Sequence, residues 1–178
     1  MLQALGTRKE FMTTKQGLRK LAQSSGFTID MLKLGFSIGP SGLWFYRLRD
    51  DYIDFFEFWI KSSGNFVTVP VTCLKIDLID HCSMKEFPKG FTQGIPIWGD
   101  AFINDEYGVE IGGDPWSIKS ESEALKTLKD ITMLFQAGVN EYFTNIDSDL
   151  KLYESLSVRA KETQNGSKIK LQLLGNNA

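Results

Sequence analysis

The sequence predicts an α+β fold, an antiparallel meander with helices packed mainly on one face, and three observations lead there. From Tyr52 to Lys61 two sets of side chains alternate: Tyr52, Asp54, Phe56, Phe58 and Ile60 against Ile53, Phe55, Glu57, Trp59 and Lys61. That is the period of a strand, and the even-numbered set is the better core face. Short polar breaks bound this run. Arg49, Asp50 and Asp51 precede it, and Ser62, Ser63, Gly64 and Asn65 supply turn residues that tolerate left-handed backbone angles. Leu125, Leu128, Ile131, Leu134 and Phe135 then recur at three- and four-residue steps, the spacing of one helix face.

Residues 1–13 carry no pattern and are expected to be loosely held, ahead of one domain over 14–178. Leu18, Leu21 and Ala22 share one side of an expected helix from Thr14 to Ser24, with Gly26 past its end. Thr28 is the expected cap of a short second helix through Asp30, Met31, Leu32 and Leu34, which Gly35 terminates. Gly39, Pro40, Ser41 and Gly42 form a turn into the meander from Leu43 to Lys75. Pro70 cannot donate to a ladder, so the third strand of the meander is expected at an edge or with a bulge.

Further strands are expected at Val109 to Ile111 and Trp116 to Ile118. The run Ser120, Glu121, Ser122, Glu123 makes a capping box that opens the long helix, and Gly138 is its expected stop, with Val139 to Phe143 as a short packed turn. Asp147 or Ser148 caps a last helix carrying Leu150, Tyr153 and Leu156 to about Lys161. After the turn at Asn165 and Gly166, Lys168 to Leu174 alternates as a half-buried strand would.

The chain has 178 residues, 42% hydrophobic and 24% charged, so one ordinary core needs no disulfide or metal to be stable. A net charge of -2 and a pI near 5.5 give no electrostatic footprint for phosphate backbones or anionic lipid, and nucleic acid and membrane are not expected partners. Cys73 and Cys82 cannot make a disulfide framework, and the first residues lack the apolar core of a signal peptide, so a reducing cytoplasm is expected.

The run LKLGFSIGPSGLWFYRLRDDYIDFFEFWIKSSGNFVTV, with DHCS after it and WSIKSESEALKTLKDI later, resembles a group of small bacterial proteins classed only as a domain of unknown function. The resemblance rests on Leu32, Lys33, Leu34, Gly35 and Phe36 at a helix end, the aromatic strand, the Ser-Ser-Gly turn and a Trp before the late helix. It extends over about Leu18 to Leu156. It implies an α+β fold and no catalytic residues to carry over. Val69, Pro70 and Val71 depart from the Asn and Gly expected in the third strand.

His81 is the only histidine, and with Asp77, Asp80 and Cys82 it forms the one cluster suited to acid-base or metal chemistry. Adjacent residues of a strand point to opposite faces, so the four converge only in a turn, and the ordinary reading is a loop histidine bonded to nearby backbone. Asp100, Asp105, Glu106, Glu110 and Asp114 match no metal-loop spacing and read as a solvated face. Gly112, Gly113, Asp114 and Pro115 lack the Lys-Ser/Thr pair of a phosphate loop. No cofactor and no metal is expected. The remaining candidates are Phe45, Phe55 and Trp59, placed on the second face of the sheet; such a mixed face is more often covered by the protein's own helices, and otherwise it is an interface for a protein partner or another copy of the chain. The expected function is that of a cytoplasmic bacterial accessory or binding protein without catalysis. The alternative is a hydrolase or ligand-binding protein with a cleft near residues 76–114.

Overall fold

The computed structural model describes residues 14–75, 101–104, 108–111 and 115–155, together with Lys161, Glu162, Ser167, Lys170, Leu171 and Gly175. Two short helices lead. Helix α1, Lys15–Ser24, is capped by Thr14, whose hydroxyl accepts from the Gly17 N–H at 3.0 Å, and it buries Leu18 and Ala22. Helix α2, Phe27–Lys33, starts one residue before the expected cap. Its N-cap is Gly26 at φ 86°, a left-handed angle that Thr28 would adopt only under strain. Gly35, also at φ 86°, ends α2: its N–H donates to Leu32 O while Phe36 N–H reaches back to Met31 O, both at 3.0 Å. That turn drives Phe36 into the core.

The meander follows as expected. Strands β1 (Ser37–Ile38), β2 (Trp44–Arg49) and β3 (Tyr52–Glu57) pair antiparallel, and Asp50 at φ 41° and Asp51 form the two-residue link between β2 and β3. The chain then passes through β4 (Trp59–Ile60), β5 (Phe66–Thr68) and β6 (Pro70–Lys75). Strands β7 (Ala101–Asn104) and β8 (Gly108–Ile111) complete a six-stranded antiparallel sheet in the order β1-β2-β3-β6-β7-β8. Strands β4, β5 and β9 (Trp116–Ser117) form a smaller one.

Pro70 corrects the sequence reading. β6 is interior, between β3 and β7, and it is not bulged, because one register runs unbroken from Ile53↔Leu74 to Ile60↔Val67. In that register Pro70 falls opposite Glu57, where it has no N–H to donate. The pairing lapses there and at Phe58, and the one long hairpin is divided between two sheets. The missing donor is absorbed at a junction instead of at an edge.

Helix α3 (Glu121–Leu134) opens on Ser120, which accepts from Glu123 N–H at 3.1 Å, while the Glu123 carboxylate accepts from Lys119 N–H at 2.7 Å. Gly138 does not end it. The helix widens into a π turn at Phe135–Val139 and continues as α4 (Asn140–Thr144). Ile131, Phe135, Val139 and Phe143 are all fully buried. Four-residue steps drift by about 40° each around an ordinary helix, and the wider π turn offsets part of that drift, keeping all four on the core side.

Helix α5 (Asp149–Ser155) buries Leu152, whereas Leu150 is 53% exposed. The strand expected at Lys168 to Leu174 is also corrected, since Lys170 and Leu171 are helical. Lys, Leu and Gln are good helix formers, and a seven-residue alternation is too short to overrule them. One core runs from Leu18 to Leu152. At its centre Phe45 stacks on Phe56 at 4.8 Å, and Phe36 meets both Phe56 and Phe135 edge-on.

Candidate functional site

The pairings Phe45↔Phe56↔Val71, Arg47↔Asp54↔Cys73 and Arg49↔Tyr52↔Lys75 place all nine residues on the helix-covered face. The first row is aromatic and apolar, and the other two hold the charged residues. Asp54 is fully buried, and Nε and Nη2 of both Arg47 and Arg49 donate to its two oxygens at 2.7 to 2.9 Å. Both guanidinium groups also reach carbonyls at the helix ends above. Arg47 Nη1 donates to Leu34 O at 3.2 Å and Asn140 Oδ1 at 2.5 Å. Arg49 Nη2 donates to Phe143 O at 2.8 Å, Ile146 O at 3.2 Å and Cys73 Sγ at 3.6 Å. A cation at the C-terminal carbonyls of α4 is also favoured by the helix dipole. Beside this cluster Asp149, in the first turn of α5, accepts from Lys75 Nζ at 2.5 and 2.7 Å and from the Tyr52 hydroxyl at 2.8 Å.

The ionisations follow from these contacts. Burial pushes the Cys73 thiol well above its ordinary range, and the Asp54 charge adds to that. Burial also raises the Tyr52 phenol, with the bond to Asp149 acting in the same direction. Tyr142, half-buried, is pushed up to about 12 by desolvation. Desolvation opposes the Arg49 charge, but its bonds and attraction to Asp54 outweigh that and raise its pKa. Thiol and phenols are therefore protonated at neutral pH, and the carboxylate is saturated by guanidinium. The cluster can clamp α2, the sheet and α4 to one another, and it presents no nucleophile or base. Among the described residues no group of three or more His, Cys, Asp or Glu side chains could hold a metal ion.

The Arg47, Arg49 and Asp54 constellation was legible in outline. A two-residue turn at Asp50 and Asp51 makes Arg47 face Asp54, and strand alternation adds Arg49 to the same side. Strand alternation puts Asp54 on the core face but does not by itself name its partners.

The interface candidates separate. Phe45 is 0% exposed and lies on the helix-covered face against Phe27, Phe56 and Phe58, not on the face of Trp59 as expected, because Phe45 pairs with Phe56 across the ladder. Phe55 is on the opposite face, 5.6 Å from Trp44 and 3% exposed. Both are interior to the chain. Trp59 differs: it lies on β4, the outer strand of the three-stranded sheet, and is 37% exposed. Its indole N–H donates to the Glu57 carboxylate two residues back, which fixes the ring on that side of the strand. Burial raises the Glu57 pKa, opposed by the Trp59 bond and by the Lys15 charge.

Asp77, Asp80, His81 and Cys82 lie outside the described residues, as does most of the stretch 76–114. No helix among the described residues is long and apolar enough to cross a membrane. No protein-family model, curated protein or solved structure matches this chain.

Proposed function

We propose that this chain is a small bacterial, cytoplasmic accessory protein that acts without catalysis, by docking a protein partner or a second copy of itself through the β4 side of the small sheet. The observation that carries this reading is Trp59, a large aromatic 37% exposed on an outer strand with its polar end already held by Glu57. An amphipathic ring fixed in one orientation loses little freedom when a partner covers it, which is why Trp is frequent among residues that anchor interfaces. The ionic cluster supports the same reading from the other side, since its charged groups are spent on one another and on helix ends. The buried Cys73 thiol fits a reducing compartment.

Sedimentation velocity of the wild type and Trp59→Ala over a range of concentrations tests the self-docking form. Recovery of the tagged chain from its host, with Trp59→Ala alongside, tests the other. Loss of a specific complex on Trp59→Ala is the expected result. A wild type that stays monomeric and recovers the same proteins as Trp59→Ala would overturn the proposal.

A further inference from the structure

The surroundings of Trp59 specify what kind of chain would cover it. Lys15 and Arg19 are one helical turn apart on α1, and both are exposed. Lys15 acts through space on the Glu57 carboxylate, which holds the Trp59 indole. Arg19 crosses Gly42 so closely that a Cβ there would stand 2.7 Å from its Nε. Trp44 pairs with Glu57, and Phe58 N–H donates to Leu43 O at 2.9 Å, so Gly42 adjoins the residue bonded to Phe58, the neighbour of Trp59. Lys61, exposed, is two residues beyond Trp59 on the same side of the chain. Three exposed cations thus lie on α1 and just past β4, on the chain segments next to the one that carries this aromatic ring. Glu57 is the carboxylate against that ring, and it is half-buried and engaged by the indole.

Resting on the docking reading above, we infer that the partner presents an acidic segment of polypeptide, with an apolar side chain on the Trp59 ring and carboxylates toward Lys15, Arg19 and Lys61. Guanidinium and ammonium groups around a ring suit carboxylates next to an apolar residue. The same local chemistry would accept a nucleic-acid strand, stacking a base on Trp59, but the net charge of -2 opposes the long-range attraction on which such binding depends. The acidic polypeptide is therefore the occupant the charges favour.

The test uses the full chain and a short fluorescein-labelled peptide rich in Asp and Glu around one Leu, read by anisotropy at low and high salt. A Lys-rich peptide of the same design and a labelled single-stranded DNA serve as competitors. The acidic peptide is expected to bind at least about tenfold tighter than the basic one, to weaken as salt screens the charges, and to lose about tenfold with Lys15→Glu and Arg19→Glu together. Thermal melts confirm that the double variant is folded, and the salt series on the wild type gives an independent reading if it is not. Equal binding of the two peptides, salt-insensitive binding, or preference for DNA would overturn the acidic partner. A complex that is lost with Trp59→Ala but kept by the charge-reversed variant would leave docking standing and remove this partner class. A complex kept by both would remove docking as well.

Discussion

Asp54→Asn removes one charge from the most constrained point of the fold. The substitution keeps an acceptor and the side-chain volume but leaves Arg47 and Arg49, whose side chains are only 14% and 21% exposed, without their counter-ion. It also turns an amide N–H₂ toward donors that need an acceptor. Breaking a buried ion pair from one side costs about 3–5 kcal/mol, most of it the uncompensated charge. For a chain of this size that is a fall in Tm of about 6–20 °C, at roughly 2–4 °C per kcal/mol. Urea melts of wild type and variant at neutral pH measure the loss, and hydrogen exchange locates it. Protection should fall first in α4, because the Phe143 and Ile146 carbonyls are held through Arg49. Arg49→Lys should lose an intermediate amount, since one ammonium cannot span Asp54 and both carbonyls as a planar guanidinium does. If Asp54→Asn loses less than about 1 kcal/mol, the cluster is not what joins the helices to the sheet.

Three other outcomes follow from particular contacts. Leu128→Ala should cost about 2–5 kcal/mol, because Leu128 is 1% exposed in the core, and a denaturant melt checks it. Gly138→Ala should be neutral or stabilise by up to about 1 kcal/mol, since a Cβ there meets nothing within 4 Å and the chain stays helical; clear destabilisation would mean the glycine is needed as a stop. Glu57 has a folded pKa above its unfolded one, so its contribution to stability is fully present below the unfolded value near 4.5 and is lost as pH rises through the raised folded value. Glu57→Gln should therefore gain on the wild type between acidic and neutral pH, and paired melts across that range would show a constant difference if the carboxyl were unshifted.

The alternation from Tyr52 to Ile60 was readable because one backbone period controls it, and even the choice of core face held with an aspartate inside. Ser120 and Glu123 marked the start of α3 because a cap is a local bond between near neighbours. What escaped was set by distant contacts. Pro70 reads as an edge residue only if the ladder must continue past it, and the division of the hairpin between two sheets removes that requirement. Gly138 reads as a stop only if the helix is uniform, and the π turn lets Phe135, Val139 and Phe143 stay buried beyond it. Phe45 and Phe55 were identifiable as aromatic strand residues, but alternation alone did not establish that both are interior while Trp59 is exposed. That depended on the register across β2 and β3 and on the packing of the whole chain.

A photo-crosslinking residue placed at exposed Ser62, in the turn after β4 with Trp59 kept, and a second at exposed Lys151 as the control, test the central claim most directly when both variants are expressed in the native host and illuminated. The docking account predicts a discrete adduct from position 62, mapping either to an acidic segment of one other protein or to the same chain, and no such adduct from position 151. Illumination that yields no adduct at 62, or the same scatter of products from both positions, would contradict it.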